Sequence, residues 1–97
     1  MILTFHNQGT ADIFNGCWTH AAMRACPGQL KKKAQRKLEQ VNICQELREL
    51  GSRPGNRLEA LQGDRRGQHS IRINSRYRIC FRWTELGPTD VEIVDYH

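Results

Sequence analysis

The chain has 97 residues, 38% hydrophobic and 26% charged, with 15 Lys and Arg against 10 Asp and Glu for a net charge of +5. That length suits a single domain over residues 1–97 with a small core, and no apolar run approaches the roughly 20 residues that cross a bilayer. The opening Met1-Ile2-Leu3-Thr4-Phe5-His6 lacks the basic and long apolar regions of a secretory signal, so a cytoplasmic protein with no membrane partner is expected, and the cation excess leaves either polyanion binding or plain solubility.

Met1 to His6 reads as a first strand, with Ile2, Leu3 and Phe5 as its apolar bulk. Thr10 is placed to cap a short helix through Asp12, Ile13 and Phe14, which Gly16 would end. Cys17 to Pro27 is ambiguous, although Trp18, Ala21, Ala22 and Met23 allow a helical turn. Pro27-Gly28 then opens a longer helix. Its Leu30, Ala34, Leu38 and Val41 recur at spacings of four, four and three, and Cys44 and Leu47 extend the stripe. The opposite face carries Lys32, Lys33, Arg36 and Lys37. Gly51-Ser52-Arg53-Pro54-Gly55-Asn56 breaks the pattern.

Leu58 and Leu61 suggest a short extended segment, and Gly63-Asp64-Arg65-Arg66-Gly67 a loop. Ser70 to Asn74 and Tyr77 to Trp83 both alternate polar with apolar, joined by a tight turn at Asn74-Ser75-Arg76. Glu85 to Thr89, with Gly87-Pro88, predicts the next turn, and Val91 to His97 a final strand. The expected fold is α+β, with two main helices on one face of a curved, mostly antiparallel sheet.

Four cysteines, Cys17, Cys26, Cys44 and Cys80, include no Cys-x-x-Cys pair. They read as reduced, buried or half-buried thiols rather than disulfides or zinc ligands. His6, His20 and His69 read as structural. No metal and no cofactor are expected.

Side chains alternate across a strand. Tyr77, Ile79, Phe81 and Trp83 therefore suit a core face, and Ile71 and Ile73 join them from the preceding strand. Arg72, Arg78 and Arg82 would share the other, exposed face, with Arg65 and Arg66 near its edge. Arginine forks match phosphate oxygens and stay charged, so this face is either a phosphate-binding surface or a solvated one. At the C-terminus, Asp95 and His97 would share a face with Tyr96 opposite. Carboxylate, phenol and imidazole together offer proton-transfer groups, yet a terminal tripeptide is also a common site of fraying.

The run from Arg53 to Asn74, with its Gly63-Asp64-Arg65-Arg66-Gly67 loop, then Arg76-Tyr77-Arg78-Ile79-Cys80-Phe81-Arg82-Trp83 and the ending Val91-Glu92-Ile93-Val94-Asp95-Tyr96-His97, resembles the plasmid-maintenance killer proteins, the HigB branch of the RelE toxin superfamily. The likeness is dense in the C-terminal half and looser in the first strand and basic helix. It implies a toxin of a type II toxin–antitoxin system: a metal-independent endoribonuclease that cuts mRNA in the ribosomal A site and inhibits translation. It further implies neutralisation by a HigA-type helix-turn-helix antitoxin, the pair binding operator DNA. The family's sheet arginine falls on Arg78, and its C-terminal acid, aromatic and histidine on Asp95, Tyr96 and His97. RNA contacts are then expected from Lys32, Lys33, Arg36, Lys37, Arg65, Arg66, Arg72 and Arg82. One departure matters. Several active members carry a histidine and a lysine where this chain has Glu59 and Gln62. Three outcomes are open: Arg65 or Arg66 supplies the missing charge from the loop, cleavage is weak, or the chain is a non-enzymatic RNA- or ribosome-binding module acting within the repressor complex.

Overall fold

A computed structural model describes residues 1–96, so His97 lies outside the described residues. Among the described residues, four α-helices precede a four-stranded sheet. They are α1 (Gln8–Phe14), α2 (His20–Ala25), α3 (Lys31–Ile43) and α4 (Leu47–Gly51). The strands β1 (Glu59–Ala60), β2 (His69–Arg72), β3 (Tyr77–Thr84) and β4 (Gly87–Asp95) lie in chain order, each antiparallel to the next. The expected α+β class holds, with four helices where two main ones were anticipated.

Alternation places Ile71, Ile79, Phe81, Val91 and Ile93 on one sheet face, where they are buried with Ile13, Leu38, Val41 and Leu50 of the helices. Burying each such side chain contributes about 1.5–3 kcal/mol, which makes this layer the main source of cohesion. The β3–β4 register shifts between Cys80 and Arg82, a bulge of the kind that bends a sheet.

Several local expectations change. Met1 to His6 is extended, but its pairing is a parallel bridge from Phe5 to Val91, flanked by hydrogen bonds from Leu3 N to Pro88 O and from Val91 N to Thr4 O. Asn7, not Thr10, caps α1, its side chain accepting from Thr10 N at 2.9 Å. Thr10 is fully buried, and its hydroxyl accepts from Ile93 N at 3.1 Å, satisfying a β4 donor that no neighbouring strand reaches. The ambiguous stretch forms α2, capped by Thr19.

α3 stops at Ile43 rather than running on to Leu47. Cys44 turns extended, and Glu46 with Glu49 forms a capping box that starts α4 afresh. The β2–β3 turn forms as anticipated: the Asn74 carboxamide oxygen accepts from the amides of Arg76 and Tyr77. The β3–β4 turn is shorter than expected, because Gly87-Pro88 already belongs to β4. Gly87 has φ +133°, and a Cβ there would lie 2.6 Å from the carbonyl oxygen of Met1, so the close approach of the N-terminal segment requires glycine. Among the described residues, no helix is long and apolar enough to cross a membrane.

Candidate active site and cationic cleft

Directly opposed residues across β1 to β4 put Glu59, Ser70, Cys80 and Glu92 in one row on the sheet face away from the core. Arg72, Arg78 and Val94 form the next row. The expectation that Arg78 is exposed is corrected: it is only 9% exposed. Its Nε donates to Ser70 Oγ at 2.7 Å and its Nη2 to the carbonyl oxygen of Arg57 at 2.6 Å. Nη1 faces Glu59 Oε1 across 3.6 Å, beyond hydrogen-bond length. The buried cation is thus fixed in orientation, with one edge toward a small pocket of about 210 Å³.

Arg57, Glu59, Arg72, Asn74, Ser75, Arg78 and Tyr96 line this pocket. Tyr96 follows β4 on the arginine side, anchored by its amide to Arg76 O at 2.7 Å, and the residue stays 41% exposed. Asp95 points to the other face. Arg76 grips its two carboxylate oxygens at 2.8 and 2.7 Å, and that carboxylate in turn keeps the Arg76 guanidinium firmly protonated. The expected catalytic quartet is therefore divided: Arg78 and Tyr96 converge, Asp95 is tied to Arg76, and His97 is outside the described residues.

A larger cleft of about 590 Å³ adjoins the pocket and shares Arg57, Arg72, Asn74 and Ser75 with it. Lys33, Arg36 and Lys37 of α3 complete five cations around its wall, and among the described residues no carboxylate side chain lines it. Lys37 was expected on the solvated face of α3, but it is 5% exposed. Its Nζ donates to Asn56 Oδ1 at 2.6 Å. Burial, then the neighbouring Lys33, Arg36 and Arg72, push its pKa below the ordinary lysine value.

Asn56 is fully buried and joins three elements. Its Nδ2 donates to Gln40 Oε1 of α3 and to Leu50 O of α4, while its carbonyl accepts from Arg72 N of β2 at 2.6 Å. The loop after α4 is thereby held against both walls of the cleft. Arg57 follows it with a left-handed backbone, φ +46°.

The other expected RNA contacts lie elsewhere. Lys32 lines a recess beside Trp18 and Lys31. Arg65 pairs with Glu92 at 3.1 Å and bonds Gln68, and Arg66 and Arg82 are exposed outside the two cavities. Residue pattern did not reveal Asn56, Arg57 or Ser70 as site residues. Asn56 and Arg57 follow a Pro-Gly break where no periodicity operates, and Ser70 reads as an ordinary polar strand position. The cysteines divide as well: Cys26, Cys44 and Cys80 are buried, but Cys17 is exposed. Among the described residues, no group of three or more His, Cys, Asp or Glu side chains gathers to hold a metal ion.

The chain matches a family model described as the RelE-like toxin of the type II toxin–antitoxin system HigB over residues 3–97. It is 39% identical to Toxin HigB-1 of Vibrio cholerae serotype O1 over 85 residues, covering 88% of this chain and 86% of that one. An uncharacterized protein of Haemophilus influenzae is 33% identical over 57 residues, covering 59% of this chain and 56% of its own length.

Proposed function

Because the chain belongs to the RelE-like toxins of HigB type II toxin–antitoxin systems, we propose that it is a ribosome-dependent, metal-independent mRNA endonuclease that acts in the cytoplasm at the ribosomal A site. Its toxin role implies an antitoxin partner. We take that partner to be a HigA-type helix-turn-helix protein that carries the pair to operator DNA.

The observation that supports cleavage most directly is Arg78, locked by Ser70 and Arg57 beside Glu59 and the exposed Tyr96. RNA supplies its own nucleophile. The 2′-hydroxyl oxygen bonds the adjacent phosphorus, and the bond from phosphorus to the 5′ oxygen breaks. The products are a 2′,3′-cyclic phosphate and a 5′-hydroxyl. One proton leaves the 2′ oxygen and one reaches the 5′ oxygen.

Charge stabilisation and positioning then account for most of the rate. In this reading Arg78 neutralises the crowded phosphate. Arg57 and Arg72 add the positive charge that Glu59 and Gln62 do not carry. Glu59 is the carboxylate that takes the 2′ proton, and Tyr96 stacks on a base. Asp95, gripped by Arg76, sets the end of β4, and His97 protonates the leaving oxygen as a general acid. Lys32, Arg65, Arg66 and Arg82 contact RNA phosphates more peripherally.

Mapping transcript ends after induced expression tests this reading. New 5′ ends inside ribosome-bound messages are expected, and they should vanish in Arg78→Ala. Arrested translation with no new ends would establish instead a non-enzymatic ribosome-binding toxin.

A further inference from the structure

The 590 Å³ cleft beside the arginine pocket concentrates like charge, with no carboxylate side chain in its wall among the described residues. Three of its five cations, Arg36, Arg57 and Arg72, end in guanidinium forks matched to phosphate oxygens. A fourth, Lys37, is buried and turned toward Asn56, so the loop cannot swing away without stranding a charge. The fold thus builds the site from α3, β2 and the loop after α4, and a bound anion would relieve the repulsion among its cations.

Its position narrows the choice of anion. The cleft and the Arg78 pocket share Arg57 and Arg72, and Arg72 lies directly across the strand pair from Arg78, with Cα atoms about 4.5–5.5 Å apart in such pairs. A ligand passing through both cavities must present anions at short, regular intervals. A polynucleotide backbone does so; an acidic peptide spaces its carboxylates irregularly on flexible side chains.

We propose that Lys33, Arg36, Arg57 and Arg72 form a second phosphate subsite that grips the linkage next to the one held at Arg78, so that one nucleotide is clamped by both of its phosphates. This deepens the endonuclease reading and rests on it only for the identity of the first phosphate. The shared arginines couple the two positions: filling the cleft fixes Arg57, whose carbonyl orients Arg78.

Calorimetric titration of the full-length toxin with adenosine 3′,5′-bisphosphate, adenosine 3′-monophosphate and adenosine 5′-monophosphate tests the subsite without any cleavage. The bisphosphate should bind roughly tenfold or more tightly than either monophosphate, with the steeper salt dependence. The double variant Lys33→Ala/Arg36→Ala changes only partly or fully exposed side chains and should erase that preference. Equal affinity for all three ligands would overturn the proposal. So would a variant that keeps the preference but loses its antitoxin, which would assign the cleft to an acidic segment of that partner. A persistent bisphosphate preference in a toxin that cuts no message would sink the endonuclease reading and leave the subsite standing.

Discussion

Arg78 Nη2 donates to the main-chain carbonyl of Arg57 at 2.6 Å, and Arg57 presents that carbonyl from a left-handed backbone at φ +46°. A residue with a Cβ seldom adopts this conformation, so the loop accepts strain to aim the oxygen. The bond ties the buried cation of β3 to the rim of the cationic cleft. Ser70 closes the other side of the same guanidinium.

Arg78→Lys separates charge from geometry. A lysine keeps the charge but cannot serve Ser70 Oγ and the Arg57 carbonyl as the planar fork does. Cleavage in a ribosome-programmed assay should fall by about 10²-fold or more. A melting curve should show a lower Tm, because buried acceptors lose their donor. Wild-type rates in Arg78→Lys would mean that fixed orientation is unimportant.

Arg57→Gly isolates the Arg57 side chain from its backbone. Glycine accepts positive φ freely, so stability should stay within about 1 kcal/mol of wild type. The cleavage rate should nevertheless drop roughly tenfold or more through loss of one cation. Arg57→Ala keeps a Cβ on the left-handed backbone, so it should be less stable than Arg57→Gly while losing the same cation. The comparison is read by urea denaturation alongside single-turnover cleavage.

Asn56→Ala should be the most destabilising single change around the cleft, by about 2–4 kcal/mol in denaturant unfolding. It strands Lys37 Nζ, Gln40 Oε1 and the Leu50 carbonyl together. Lys37 also gives a pH signature. Its pKa in the folded protein is lowered from the ordinary 10.5, chiefly by burial. In the window between the lowered value and 10.5 the unfolded chain binds the extra proton, so stability rises with pH there. Lys37→Met should abolish that rise; an unchanged pH profile in the variant would place the charge in solvent.

Thiol labelling should distinguish Cys17 from the rest. Burial pushes the Cys26, Cys44 and Cys80 thiols up, away from the reactive thiolate. A thiol reagent at mildly alkaline pH should modify Cys17 alone in the native protein and all four cysteines in denaturant. Cys44→Ser should alter stability and leave RNA cleavage intact.

Asp95→Asn and Arg76→Ala should behave alike, because each breaks the two-bond grip that fixes the end of β4. Both should lower cleavage with little change in Tm, as expected for an exposed pair. The double variant should be no worse than either single one. A much larger defect in Asp95→Asn would give the carboxylate a direct part in the chemistry.

Residue order alone determined the α+β class, the α3 stripe of Ala34, Leu38 and Val41, and the core face of Ile79 and Phe81. Those features follow from periods of 3.6 and 2, which the chain carries locally. Alternation also put Arg78 on the outer sheet face beside Arg72, and the resemblance joined it with Tyr96 as a site. Only the tertiary structure decided that Arg78 and Lys37 are buried cations, that Asp95 turns to Arg76, and that Asn56 and Arg57 form the rim of the site. These depend on contacts between segments far apart in the chain. A loop residue such as Asn56 has no periodicity to announce that α3, α4 and β2 will all meet its polar atoms.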